Sequence, residues 1–193
     1  MPMMLDASER TTLLQLARRS IEACARAQPE PELPQATGGL ARCAAAFVSI
    51  HRLFQGREGL RGCIGNFESS TPLLLNVREM AWAAASRDPR FAPVHADELS
   101  SLRVAISVLD QPSPVTALDE IEVGTHGLII SSGARRGVLL AKVPVEQGWD
   151  RHTFLQHLCL KAGLREDIWR RFGVDSTVQL HKFEELDFAE PVN

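Results

Sequence analysis

A cysteine held between glycines is the residue of this chain best placed to do chemistry, in the run Leu60-Arg61-Gly62-Cys63-Ile64-Gly65. Glycine lets a backbone adopt positive φ and lets another group approach closely, so Gly62 and Gly65 open access to a thiol at a strand end. Arg61 adds positive charge nearby and favours the thiolate, the form that acts as nucleophile or metal ligand. The competing account is plain packing, since free cysteines usually fill tight core space.

Arg87-Asp88-Pro89-Arg90-Phe91 is the second constellation. It follows a helix end and precedes Pro93, which makes it a stiff loop. Arg87 and Arg90 bracketing Asp88 can form a fork for a small anionic ligand such as a phosphate or carboxylate. Cations that suit a helix dipole are the simpler reading on spacing alone. In Gly124-Thr125-His126-Gly127, His126 can serve as a base or ligand, or can only cap a turn. Glu146 precedes a helix start and points either to a site or into solvent from a loop. His152 and His157 lie five residues apart on a helix, and His51, His95 and His181 stand alone. No H-E-x-x-H, P-loop or G-x-G-x-x-G occurs, so no cofactor is assigned, and no metal site is expected from the spacing of Cys63 and His126.

These residues need elements to position them. Asp6 and Glu9 form a capping-box pattern ahead of a helix to Ala27, whose Leu13, Leu16, Ala17, Ile21 and Cys24 make one apolar face. Pro29, Pro31 and Pro34 end it. A strand over Ala44–Ile50 is followed by a turn flanked by Gly56 and Gly59, then by an antiparallel strand over Leu60–Ile64. Pro72 suits the first position of the next helix, which Pro89 stops. Leu102–Leu109 alternates apolar and wetter positions as a strand, and Asp110–Pro114 is a turn. A hairpin surrounds residues 131–137; Asp150 caps a helix over Arg151–Ala162 that Gly163 closes, and Trp149 and Phe154 have the spacing of a hydrophobic staple. One more helical segment over Glu166–Arg171 and a final strand over Thr177–Phe183 complete the pattern. Strands and helices do not alternate regularly, so an α+β fold with an antiparallel or mixed sheet flanked by helices is expected.

The 193 residues fit one domain, or one domain with a small second lobe inserted, long enough to bury a core without disulfides or a structural metal. Hydrophobic residues make up 45% and charged residues 23%, as in ordinary globular proteins. The net charge of -3 gives no global field toward nucleic acid or anionic lipid, leaving a local basic cluster as the only electrostatic route to either. No apolar run approaches the ~20 residues of a membrane helix. Cys24, Cys43, Cys63 and Cys159 form no C-x-x-C pair, and no leader precedes them, so reduced thiols and a cytoplasmic setting are expected.

Taken together the segments resemble the AMMECR domain family, the system protein A of the AmmeMemoRadiSam set. The resemblance rests first on Leu60-Arg61-Gly62-Cys63-Ile64-Gly65 with Phe67, then on ordered blocks along the chain. These are Phe47-Val48-Ser49, Asp88 with Arg90-Phe91 and Pro93, Glu98-Leu99, Ile106-Ser107-Val108-Leu109, Gly124 with His126-Gly127-Leu128, Glu146-Gln147-Gly148-Trp149-Asp150, and Leu158-Cys159 with Lys161-Ala162-Gly163-Leu164. It covers roughly Ala7 to Phe183. Asn66 stands where many relatives have Thr, a change expected to matter little to the turn, and Pro89 stands where Ser or Thr is more usual.

The resemblance implies a two-lobed α+β domain and adds weight to Arg61, Cys63, Asp88, Arg90, His126 and Glu146. It also implies an association of prokaryotic members with Memo-like and radical SAM proteins. The resulting expectation is an enzyme of unassigned reaction with a cysteine-centred pocket. Cys63 is its nucleophile, Arg61 and Arg90 hold an anionic group, and Asp88 or His126 handles protons, with Arg87, Gly62, Gly65 and Glu146 lining the substrate. The alternative is a non-catalytic module that binds a nucleotide, RNA or a partner protein through Arg61, Arg87, Arg90, Arg135 and Arg136. A scaffold with a purely structural Cys63 is the third.

Overall fold

The computed structural model describes residues 5–54 and 57–191, so Gly56 of the expected turn lies outside the described residues. The chain forms two compact units, residues 1–109 with 186–193 and residues 110–185. Each is an antiparallel sheet with helices, in accord with the α+β reading.

The first unit opens with α1 (Ala7–Ala25), begun by a true capping box in which Asp6 accepts from the Glu9 N–H and Glu9 accepts from the Asp6 N–H. β1 (Ala45–Phe54) and β2 (Arg57–Gly65) follow as an antiparallel pair, then α2 (Leu73–Ser86) and β3 (Leu102–Leu109). β8 (Glu185–Ala189) returns from the far end of the sequence, and the sheet order is β2-β1-β3-β8. Pro72 is the N-cap residue of α2, one position earlier than expected; its extended ψ keeps it outside the first turn. The core lies between the two helices and one sheet face. Leu13, Leu16, Ile21, Leu73 and Val77 pack there with Val48, Ile50, Val104 and Ile106.

That packing requires a strand without a side chain at one point. A Cβ on Gly62 would fall on the Ala84 carbonyl oxygen of α2, with the Ile50 side chain beyond it. Gly65 lies against the Phe47 ring, and its Cβ would also come within 2.6 Å of the Ala46 carbonyl oxygen. Neither glycine has positive φ. Close approach, and not backbone freedom, accounts for both.

The second unit contains β4 (Ser113–Pro114), β5 (Gly127–Ser132), β6 (Arg135–Leu139), α3 (Lys142–Gln147), α4 (Arg151–Lys161) and β7 (Val178–Phe183), with sheet order β4-β7-β5-β6. The β5–β6 hairpin, the Asp150 cap on α4 and the positive-φ Gly163 after it match the sequence reading. Leu128, Ile130, Phe154, Leu158 and Leu180 form its core, with Trp149 packed against it.

Three expectations fail. The Asp110–Pro114 turn contains β4, because Ser113 and Pro114 pair with Lys182 and His181. Glu146 is in α3 and not in a loop, since the helix runs to Gln147 before Gly148 takes a left-handed conformation. Thr177–Phe183 is not the last strand, since β8 follows it; Pro191, just beyond β8, left that short segment looking like a tail.

Gly62→Ala is expected to cost about 1–3 kcal/mol, because the obstructing atom is backbone and cannot rotate away. The control is Gly59→Ala, where nothing lies within 4 Å, and it should stay within ~0.5 kcal/mol of the parent. Urea unfolding of both variants checks this; equal midpoints would remove the close-approach account.

Candidate functional site

β2 is the edge strand of its sheet, so half of its backbone groups have no neighbouring strand. At Cys63 these groups are taken by the loop after α2. The Cys63 N–H donates to Asp88 Oδ2 at 2.8 Å, and Arg90 Nη2 donates to the Cys63 carbonyl at 3.4 Å. Asp88 is 4% exposed and also accepts from the Arg90 N–H at 3.1 Å, Nε at 2.9 Å and Nη2 at 2.6 Å. The Arg90 guanidinium, more than the two backbone N–H groups, holds the Asp88 carboxyl well below the usual carboxylate range despite its burial. Asp88 therefore stays ionised near neutrality and is a poor proton carrier there.

Arg61 is fastened as firmly. The register shifts so that Ile50 faces Gly62 while His51 faces Leu60, which leaves Arg61 as the extra residue of a β-bulge. Its Nε and Nη2 both donate to Glu98 at 2.8 Å, and the remaining donors reach the Ala92 carbonyl at 2.9 Å and the Pro93 carbonyl at 3.2 Å. The Arg61 bond, opposed by partial burial, leaves the Glu98 carboxyl lowered to about 2. Glu98 entered the sequence reading only as part of a matching block, because nothing local linked it to Arg61 across 37 positions.

The Cys63 side chain lies on the sheet face away from the helices. Its register partner there is Ser49, whose hydroxyl donates to the Cys63 sulfur at 3.1 Å. Cys63 is half-buried, Cys43 exposed and Cys159 buried, and all four cysteines are free thiols. Burial, above all else, pushes the Cys159 thiol up, in keeping with packing as its role. Next to the Ser49–Cys63 pair, the Phe47 ring meets Phe67 edge-on at 4.9 Å between centroids. Asn66 does more than expected. It exchanges amide hydrogen bonds with the buried Asn76 at 2.8 and 3.1 Å, and its Oδ1 accepts from the Ala46 N–H at 3.2 Å.

The loop thus brings Cys63, Asp88 and Arg90 together, but not as the expected fork. Arg90 turns onto Asp88, and the exposed Arg87 side chain makes no hydrogen bond or ion pair among the described residues. His126 and Glu146 belong to the second unit. There His126 Nδ1 accepts from the Glu122 N–H at 3.0 Å and caps its own turn. Glu146 is exposed on α3. Arg135 donates to the Gly163 carbonyl. Among the described residues no three His, Cys, Asp or Glu side chains gather as a metal site, and no helix is long and apolar enough to cross a membrane.

Comparison with known proteins finds relatives along most of the chain. The AMMECR1 family model matches residues 14–187. A protein of Thermofilum pendens is 39% identical over 96% of this chain and 92% of its own length. Protein MJ0810 of Methanocaldococcus jannaschii is 45% identical over 75% of this chain and 72% of its own. The crystal structure of the uncharacterized protein PH0010 from Pyrococcus horikoshii is similar with a TM-score of 0.79 and 37% identity, covering 92% of this chain and 89% of that one.

The Arg61–Glu98 pair makes a pH prediction. The folded pKa of Glu98 is depressed to about 2 from 4.5, so its stabilisation is complete above 4.5 and is lost as pH falls toward 2. Glu98→Gln is expected to cost on the order of 3 kcal/mol at pH 7. The gap between parent and variant should shrink steadily below pH 4.5. Urea unfolding at pH 7, 4 and 3 tests this, and a gap independent of pH would contradict it.

Proposed function

The chain belongs to the AMMECR1 family, and we propose that it is an enzyme working through the Cys63 thiol on a small substrate that carries an anionic group. The Cys63 sulfur attacks an electrophilic carbon; an S–C bond forms and the leaving group departs with its bonding electron pair. The observation that carries this reading is the 3.1 Å hydrogen bond from the Ser49 hydroxyl to a half-buried sulfur whose backbone is clamped on both sides by Asp88 and Arg90. A nucleophile needs its position fixed while its reacting atom stays reachable.

Arg90 supplies the charge. Its side chain is 55% exposed, and its Nη1 has no partner among the described residues, so it can meet an anionic substrate without leaving Asp88. Its own pKa is raised first by the Asp88 bond and further by the negative charge a Cys63 thiolate would carry, so the two groups are within electrostatic reach. Arg87, exposed on the same loop, adds a second cation. Arg61 and Asp88 are positioning residues, since their donors and acceptors are used in holding β2. Gly62 and Gly65 keep the strand close to its neighbours. His126 and Glu146 have no step in this reading.

The binding-module alternative has less support, because Arg61 is engaged by Glu98 and two carbonyls and Arg135 by a carbonyl. Association with Memo-like and radical SAM proteins in a cytoplasmic pathway belongs to the same proposal and rests on the family resemblance.

Iodoacetamide at neutral pH, followed by peptide mass spectrometry, tests the thiol. Cys63 is expected to react faster than Cys43 although Cys43 is the more exposed. Arg90→Gln should slow Cys63 by about 10-fold, the effect of losing the cation that holds Asp88 and the Cys63 carbonyl. A Cys63 slower than Cys43 in the native protein would refute the reading.

A further inference from the structure

The sheet of the first unit sets small side chains beside large ones around the sulfur. On the face away from the helices, the β1–β2 and β1–β3 registers align Cys63, Ser49 and Ala105 in one row across three strands. The row toward the end of β2 holds Gly65 and Phe47, and the row on the other side holds His51 and Arg103. Rows on one face of a sheet repeat about every 6–7 Å along the strands. The row of three small residues is therefore the floor of a trough between bulkier rows, and the Cys63 sulfur stands in it. Phe47 forms one wall, because its ring fills the space that a Gly65 side chain would take. Phe67, in the loop after β2, folds back onto this ring edge-on, with 4.9 Å between centroids and 62° between planes. Both rings are half-buried, and among the described residues neither joins the core beneath the sheet.

We propose that Phe47 and Phe67 receive an aromatic ring of the substrate, which makes the substrate of Cys63 a small aryl-bearing acid and the two phenylalanines its specificity determinants. This rests on the reading of Cys63 as the working thiol. Two apolar rings that stand partly in water, outside the core, gain free energy from any apolar surface laid on them. A flat ring suits them best, since aromatic pairs favour edge-to-face or offset contact with centroids about 4.5–7 Å apart. A third ring at that spacing from Phe47 lies over the floor of the trough, in the row of Cys63. A substituent of one or two bonds then carries its electrophilic carbon to the sulfur. Arg90 donates to the Cys63 carbonyl at the open edge of β2, so the acid group and the ring approach the sulfur from different sides. Gly65 serves the same end, because a side chain at that position would push the Phe47 ring from its place. The two rings supply binding alone and take no part in the bond changes at sulfur.

The test compares three alkylating agents with the same reacting carbon on the full chain: iodoacetamide, N-phenyl iodoacetamide and N-cyclohexyl iodoacetamide. Cys43, exposed and away from the two rings in the β-bridge to Pro72, is the internal standard. The phenyl reagent is expected to gain at least about 10-fold over iodoacetamide at Cys63, relative to the same ratio at Cys43, as one added aromatic contact with its buried area implies. The cyclohexyl reagent, apolar but not flat, should gain less than about 3-fold. Phe67→Ala should remove most of the phenyl gain and leave the iodoacetamide rate of Cys63 unchanged, whereas Phe67→Tyr should keep the gain. Phe67 is a loop residue outside the core, so its variants carry little risk to folding, and Phe47→Leu should lower the gain likewise. A phenyl gain at Cys63 equal to that at Cys43, a cyclohexyl gain that matches the phenyl one, or a phenyl gain unchanged in Phe67→Ala and Phe47→Leu overturns the aromatic assignment and leaves the thiol reading standing. An iodoacetamide rate slower at Cys63 than at Cys43 overturns the thiol reading, and this assignment with it.

Discussion

One carboxylate buried at a sheet edge fixes the geometry on which the site depends. Asp88 accepts the N–H that Cys63 would otherwise leave unpaired on the edge strand, and it is held ionised by Arg90. A buried carboxylate is costly unless it is fully bonded, and four donors meet this one. Arg61, two residues back, makes the complementary attachment through Glu98 and the Ala92 and Pro93 carbonyls. Between them Gly62 touches the backbone of α2. Three consecutive residues thus tie β2 to the stretch from Ala84 to Glu98, one by an ion pair, one by contact and one by a clasp.

The consequence is a division of labour between the two sides of the strand. Its backbone edge and helix-facing side are committed to structure. The opposite face carries Cys63, hydrogen-bonded to Ser49. Polar residues also keep an edge strand from pairing with another chain, so the Asp88 and Arg90 clasp serves solubility as well as geometry. The same atoms cover the strand edge and fix the backbone of Cys63.

The fold was largely legible where local rules operate. The Asp6 and Glu9 capping box, the alternating Leu102–Leu109 strand, the β5–β6 hairpin and the Asp150 cap each depend on residues within a few positions of one another. Less was legible where partners are distant. The Arg61 bulge, the Glu98 pair and β8 depend on contacts spanning tens of residues, which no local period encodes. At the site, Cys63, Asp88 and Arg90 stood out by type, but their relation did not. Two arginines around a carboxylate suggested an open fork, whereas burial drives Arg90 onto Asp88. His51 was read as isolated because the strand was ended at Ile50; β1 in fact continues to Phe54, and extending the alternation by one step sets His51 beside Ser49.

The clasp itself is best examined at the Cys63 amide. Hydrogen exchange by NMR should show this edge-strand N–H strongly protected in the native chain and fast in Asp88→Ala, with the amides of α1 unaffected. A Cys63 amide that already exchanges at the free rate in the unsubstituted protein would contradict the account, because nothing would then hold the sulfur's backbone in place.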